Sequence, residues 1–249
     1  MPEASFRFFE ELNDFLPDRR RKKRFFHQFK ERASIKDMIE ALGIPHTEVD
    51  LILVDGKSED FNYIVKGGER ISVYPVFESL NIRQVSKVRP EPLRETRFIL
   101  DTHLGKLARI LRMLGFDSLY RKDLTPDEII SASLAEHRII LSRSRNLLKR
   151  KEVTHGYCLN TSEPEKQARL VLKRFDLQEN LEPFTRCMEC NSPLEELPRD
   201  DACGKVPEDV LSGQQEFKCC PACGKAYWKG SHYLKMEEKI GEILSVGGW

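Results

Sequence analysis

The sequence predicts an α/β chain in three parts, and three observations carry that prediction. Near the start, aromatic and apolar runs alternate at strand period around one capped helix. From residue 97, short apolar runs alternate with helical stretches. Beyond residue 180, cysteines recur in two Cys-x-x-Cys pairs. With 249 residues, 40% of them hydrophobic and 33% charged, the chain has apolar content for more than one core and a well-solvated surface. That balance excludes disorder as a description of the whole chain.

The first part reads as two strands, a helix and further strands. The runs FRFF and FFHQF flank the turn-like stretch LPDRRRKKR. Ser34 is placed to cap a helix through MIEAL, which stops at Gly43 and Pro45. LILVDG and ERISVYPVF read as strands, the second with Ile71, Val73 and Tyr74 toward the core. This order is that of a β-grasp, ubiquitin-like domain over residues 1–80. The polar, proline-containing stretch 81–96 reads as a linker.

The second part, 97–178, alternates strand and helix, which implies a mostly parallel sheet flanked by helices. RFIL is a strand ending at Asp101. HLGKLARILRML follows as a helix with Leu104, Leu107, Leu111 and Leu114 on one face, and Gly115 stops it. DSLY is a second strand. Thr125, Pro126 and Glu128 have the order of a capping threonine, an N1 proline and a capping-box acid. RIIL is a third strand and GYCL a fourth. Ser162, Pro164 and Glu165 are read as another helix start of the same kind.

The third part, 179–249, holds the cysteine pairs Cys187/Cys190 and Cys220/Cys223 and ends in a helix through YLKMEEKIGEIL. Two residues between cysteines let both sulfurs of a knuckle face one ion. Two knuckles supply the four thiolates of a structural zinc site. The 29 residues between the pairs exceed ordinary ribbon spacing, so LEELPRDDACGKVPED is read as an insertion. The start of the chain lacks the pattern of a signal peptide and no stretch approaches a membrane span, so a cytoplasmic protein without a membrane partner is expected. Thiols stay reduced there, which favours metal over disulfides. Cys158 is read as a core residue, and Cys219 lacks the two-residue spacing to Cys223.

Ligands of a parallel sheet gather beyond the carboxyl ends of its strands. Asp101 stands there, and Asp127 and Glu128 open the following helix but one. Carboxylates at one edge are what Mg²⁺ or Mn²⁺ needs to position water against a phosphodiester. Plainer readings exist: Asp101 as a helix cap, Asp127 as a complement to the helix dipole, Glu128 as part of a capping box.

The wording RFILDTHLGKLARILRMLGFDSLYRKD, RIILSRSRNLLKR, FTRCMECNSPL and YWKGSHYLKM resembles the Mut-seven C-terminal RNase family, a PIN-like nuclease domain fused to a zinc ribbon. The resemblance covers roughly residues 97–240. The leading segment, with GGERISVYPVFES, resembles the ubiquitin-like domain often fused ahead of it in bacteria. The resemblance implies an RNA-cleaving or RNA-binding protein with an acidic Mg or Mn site beside the structural zinc. By position Asp101 matches the first acid and Asp127 the second. The third acid follows the third strand in a Thr-Arg-Asp motif, which here reads Ser142-Arg143-Ser144. Asp123 or Glu128 could stand in for the missing charge. Otherwise the chain is an RNA-binding protein that has lost cleavage.

Net charge is +1 overall, yet residues 97–175 carry 16 basic and 9 acidic side chains and residues 176–249 carry 8 and 14. A basic middle part suits phosphate. Lys106, Arg109 and Arg112 recur every three residues beside the leucine face. Arg143 and Arg145 flank the third-strand motif, and Lys149, Arg150 and Lys151 follow. These can hold phosphates without reading sequence, or form a solvated face. The run Arg19 to Arg24 is the densest positive patch, either an RNA contact or a solvated loop. Gly67-Gly68 lies inside a turn and Gly247-Gly248 is followed by Trp249, so neither resembles the free tail of a sulfur carrier. His232 is not read as a ligand, since four cysteines fill the shell. The ubiquitin-like domain is a candidate to recruit a protein partner.

Overall fold

The computed structural model describes residues 1–75, 96–203, 205–213 and 216–245. Nearly all of the expected linker, and Gly247-Gly248, lie outside these residues. In chain order the elements are β1 (Glu3–Phe8), β2 (Phe25–Gln28), α1 (Ile35–Ala41), β3 (Val49–Val54), β4 (Lys57–Glu59), β5 (Arg70–Pro75), β6 (Phe98–Leu100), α2 (Gly105–Met113), β7 (Ser118–Leu119) and α3 (Pro126–Glu136). There follow β8 (Ile139–Ser142), α4 (Arg145–Leu148), β9 (Gly156–Cys158), α5 (Pro164–Arg174), β10 (Glu195–Leu197), α6 (Arg199–Ala202), α7 (Glu208–Gly213), β11 (Phe217–Cys219), β12 (Ala226–Trp228) and α8 (Ser231–Ser245). Contact density divides the chain into two compact units. One is Met1–Glu95 with Ile130–Cys158, the other Thr96–Ile129 with Leu159–Trp249.

In the first unit a mixed sheet runs β2-β1-β5-β3-β4, with β1 and β5 parallel and the other pairs antiparallel. Phe6 and Phe8 of β1 and Ile71 and Val73 of β5 point to one buried face, as strand alternation requires. Ile35, Met38 and Ile39 of α1 cover that core. The Ser34 hydroxyl accepts from the Asp37 N–H at 3.1 Å, the expected cap. Tyr74 does not join the core. One residue out of phase with Val73, it stacks on Phe9 with ring centroids 4.2 Å apart.

The stretch between β1 and β2 contains two 3₁₀ helices, Glu10–Phe15 and Asp18–Arg20. Part of its positive charge is used at home. Arg21 Nε donates to the Leu16 carbonyl at 2.8 Å, Arg24 reaches Ser5 and Ser72, and Arg20 lies over the Phe25 ring.

The same unit includes β8 and β9, a parallel pair with Ile140 opposite Gly156. A Cβ at Gly156 would stand 2.6 Å from the end of the Leu148 side chain, so a larger residue there would require Leu148 to shift. Three polar contacts join this segment to α1 and the stretch after it. His46 lies between Glu40 (Nδ1 to Oε1, 2.7 Å) and the Val153 carbonyl (Nε2 to O, 2.6 Å). Glu48 accepts from the Cys158 N–H at 2.6 Å, and Lys149 donates to the Glu40 carbonyl at 2.6 Å. Cys158 is buried, as a core residue should be.

In the second unit β6 pairs with β7 in parallel. Leu104, Leu107, Leu111 and Leu114 are all buried, so the leucine face packs inward as its spacing dictates. Gly115 ends α2 with φ +99°, and a Cβ there would meet the Glu182 carbonyl at 2.3 Å. Ser162 does not cap α5. The cap position is Glu163, without a side-chain capping bond, and Pro164 begins the helix. Downstream, β10-β11-β12 form an antiparallel ribbon. The expected insertion is integral to it: it supplies β10, and Leu197, Ala202 and Val206 pack on Phe217 in a small core. Among the described residues no helix is long and apolar enough to cross a membrane.

Candidate functional site

Cys187, Cys190, Cys220 and Cys223 converge, with all four sulfurs within 4.8 Å of one another. Cys187 and Cys223 sulfurs are 3.6 Å apart and those of Cys190 and Cys220 3.2 Å. A tetrahedron with zinc–sulfur bonds of about 2.3 Å has edges of about 3.8 Å, so the donor set fits a zinc ion. Each knuckle closes on itself: Asn191 N–H donates to the Cys187 carbonyl, and Gly224 N–H to the Cys220 carbonyl, both at 2.9 Å. Asn191 and Gly224 adopt positive φ, +75° and +72°, as those turns require.

The thiols are not equivalent. Burial opposes ionisation of Cys190, but hydrogen bonds from Ser192, Cys220 and Cys187 hold its pKa down to about 6. Cys223 has a backbone hydrogen bond from Lys225 that favours the thiolate, yet Cys220, burial and the other sulfurs push it up to about 12. Like charges this close cannot all ionise unless a cation joins them. The Tyr227 hydroxyl lies 3.1 Å from the Cys187 sulfur. Burial and that neighbour push the phenol well above its ordinary range, so it stays protonated and donates.

The first knuckle is fastened to the end of α2. Arg112 donates from Nε to the Ser118 carbonyl at 2.9 Å, and from its Nη1 to the carbonyls of Met188 (3.1 Å) and Glu189 (2.7 Å). Arg112 is buried and does not stand in a solvated stripe with Lys106 and Arg109. That corrects the expectation that it faces RNA: its guanidinium is engaged with backbone inside the unit. Burial lowers its pKa, while the thiolates of Cys190 and Cys187 oppose the shift. Asn191 completes the joint by accepting from the Ser118 N–H and donating to Asp117, both at 2.8 Å.

The acids stand as follows. Asp101 is buried just past β6, and its Oδ1 accepts from the His103 N–H at 2.9 Å. It closes the turn before α2 rather than capping the helix, since the cap position is Leu104. Gly105 opens that helix, and a Cβ there would lie 2.7 Å from the Tyr120 hydroxyl. Asp127 is exposed in the first turn of α3. Glu128 forms the capping box: its Oε2 accepts from Thr125 N–H (2.7 Å) and Oγ1 (2.8 Å), and Thr125 Oγ1 accepts from the Glu128 N–H. Those bonds from Thr125 hold the Glu128 carboxyl below its ordinary range. Among the described residues, Asp101, Asp127 and Glu128 form no three-acid cluster comparable to that of the cysteines.

Of the other expected phosphate contacts, Lys106 is exposed and Arg109 pairs with Glu189 at 3.0 Å. In the first unit, Arg143 is exposed and Arg145 lies over the Phe15 ring, 4.9 Å from its centroid. Ser144 caps α4, its hydroxyl accepting from the Leu147 N–H at 3.4 Å.

The family model described as Mut7-C RNAse domain matches residues 96–240, more than half of the chain. This chain belongs to the Mut7-C RNase family. The model described as Mut7-C ubiquitin matches residues 1–81, so the mixed sheet of the first unit is the ubiquitin-like domain that the element order predicts. A human relative named exonuclease mut-7 homolog is 36% identical over 232 residues, with 61% of this chain and 26% of that relative covered. The chain thus spans about a quarter of the length of that relative. No solved structure matches.

Within the Mut7-C domain, sequence reasoning missed Arg112 and Asn191 as the fastening of the first cysteine knuckle, and Tyr227 as the hydroxyl beside Cys187. A signal for Asn191 existed, because a residue directly after a Cys-x-x-Cys knuckle must turn left-handed and asparagine tolerates that. Tyr227 carries no such signal; its role depends on the β11–β12 register, with Tyr227 opposite Lys218.

Proposed function

We propose that this chain is a metal-dependent ribonuclease of the PIN-like class, acting on RNA phosphodiesters through Asp101 and Asp127, with zinc in the four-cysteine centre. The observation that carries the reading is the buried Asp101 carboxylate at the carboxyl end of a parallel strand, inside a domain of an RNase family. A carboxylate buried at a strand's carboxyl end is placed to hold a cation, and a cation there would offset the cost of burying its charge. Mg²⁺ or Mn²⁺ bound there would polarise the phosphate and lower the pKa of an attacking water. Asp101 would then fix the position of the cation, and Asp127 would add a second, solvent-side carboxylate. Glu128 can lend only the oxygen that Thr125 leaves unused. In this unit Lys106 and Arg109 would hold phosphates without selecting sequence, and in the other unit Arg143 and Arg145 are candidates for the same task.

A second reading is favoured by Ser144. It occupies the third-acid position of the family motif and caps α4, a task that needs no negative charge. Two carboxylates hold a divalent ion less firmly than three, so the chain would bind RNA and cleave it weakly or not at all. Hydrolysis of single-stranded RNA by the purified chain, with Mn²⁺ or Mg²⁺ and an Asp101→Asn control, separates the readings. Metal-dependent cleavage that the control abolishes supports the enzyme. Salt-sensitive binding without cleavage supports the binding protein. Absence of both sinks the two together. The cytoplasm, where thiols stay reduced, remains the expected compartment.

A further inference from the structure

The second unit holds an open cavity of about 640 Å³ next to a smaller one of about 140 Å³. Met188, Tyr227, Trp228, Tyr233 and Met236 line both. Three different elements supply these side chains: the first cysteine knuckle, β12 and α8. The walls are held in place. The Tyr227 hydroxyl is fixed by Cys187, and Tyr233 rests on Phe184 with ring centroids 4.4 Å apart. Trp228 lies close over Gly230, where a Cβ would come within 2.9 Å of the indole nitrogen. The larger volume is within the roughly 300–1,000 Å³ of small-ligand pockets.

Its lip is charged. Arg109 and Lys225 both line it, and both approach the same Glu189 carboxylate oxygen at 3.0 Å. Two cations share one anion, so one positive charge is left over at this edge. On the other side Asp209 of α7 offers an acceptor, and His232 adds a flat polar ring. Flat aromatic and thioether walls suit a π-face, the surplus cation suits a phosphate, and the carboxylate suits exocyclic N–H groups.

We infer that this cavity is a nucleobase subsite, which takes one unpaired base of single-stranded RNA against Trp228 and the following phosphate at Arg109 and Lys225. The inference rests on the RNA reading above. It adds that the zinc ribbon and α8 bind substrate bases, besides serving the fold. A wholly apolar ligand would leave the surplus positive charge unused, and a phosphate alone would leave the aromatic walls unused.

The test uses the full zinc-loaded chain without added Mg²⁺ or Mn²⁺, so that no cleavage intervenes. Two 12-nucleotide probes are compared, oligouridylate and an abasic ribose-phosphate oligomer of the same length and charge. The intact oligomer is expected to bind roughly 5- to 150-fold more tightly, the range that loss of one stacked base spans. Tryptophan fluorescence in a Trp249→Phe background should be quenched by the intact oligomer and not by the abasic one. Trp228→Ala should erase the difference between the probes at unchanged zinc content, and Trp228→Phe should keep most of it. Equal binding of the two wild-type complexes overturns the subsite and leaves RNA binding intact. Failure of both probes to bind at low salt overturns the RNA reading and the subsite together. Quenching by tetramethylammonium but not by the oligomer would assign the cavity to a different cation ligand and overturn the inference. The wild-type comparison decides the matter even where Trp228→Ala fails to fold.

Discussion

The Arg112 guanidinium donates to the Glu189 carbonyl at 2.7 Å, across 77 residues of sequence. The bond joins a helix of the Mut7-C domain to the backbone of a cysteine knuckle. Arg112 also holds the Met188 and Ser118 carbonyls, so one side chain sets where the knuckle sits. Its positive charge lies beside thiolates that carry a net negative charge even with a divalent ion among them.

Arg112→Met should therefore destabilise the protein by about 3 kcal/mol, because hydrogen bonds from a charged donor are lost and buried carbonyls are left unpaired. Thermal or urea unfolding measures this. Salt dependence separates a fastening role from a phosphate contact. Lys106→Ala should lower the slope of log affinity against log salt by about 0.7 on single-stranded RNA. Arg112→Met should leave that slope unchanged; a comparable fall would restore Arg112 to the RNA surface.

Cys220→Ser should remove zinc and unfold the ribbon, since metal binding and folding are one process at such a centre. Cys219→Ser should retain one zinc per chain, because Cys219 belongs to the β11 ladder opposite Ala226 and lies outside the sulfur cluster. Elemental analysis with circular dichroism reads both variants. Retention of zinc by Cys220→Ser would rule out the four-cysteine shell.

Ser144→Asp should fold as the parent does, because aspartate caps a helix as well as serine. It supplies the third carboxylate that the proposed metal site lacks, so Mn²⁺-dependent RNA cleavage should rise roughly tenfold if two carboxylates limit metal occupancy. An unchanged rate, with Asp101→Asn still abolishing it, would mean that another group already supplies the third charge.

The Glu128 capping box predicts a pH dependence. Its folded pKa lies below the ordinary 4.5, held there by the Thr125 hydrogen bonds. The stabilisation is complete above that ordinary value and is lost as pH falls through the lower folded value. The melting temperature of Glu128→Ala should thus lie below that of the parent at pH 7, and the gap should narrow as the pH is taken progressively below 4.5. A gap that stays constant would show that the carboxylate charge is not what stabilises α3.

Local chemistry was legible in the sequence. Ser34, Thr125 with Glu128, and Gly115 act within a turn of their own helices, so short-range pattern suffices to place them. The cysteine cluster was legible because ligand spacing is set by one ion's geometry. Arg112 was not. Three-residue steps on a helix of 3.6 residues per turn drift by about 60° each, so Arg112 stands about 120° round from Lys106. Its carbonyl partners Met188 and Glu189 are more than 70 residues distant. Ser162 failed for a related reason: serine, proline and glutamate fit two neighbouring cap registers, and the backbone took the one that starts at Glu163.

One donor to the Glu48 carboxylate is made late in synthesis. The carboxylate accepts from the Cys158 N–H, 110 residues later in the chain. At a translation rate of about 5–20 residues per second, that donor is made roughly 5–20 s after Glu48. Until then the nascent ubiquitin-like domain lacks the Cys158 N–H donor to Glu48 and the Val153 carbonyl beside His46. A fragment cut after residue 81 would keep that unfinished surface permanently. The first unit is therefore completed only when ribosomes have passed residue 158, and its cotranslational protection from proteases should appear late rather than at the family boundary.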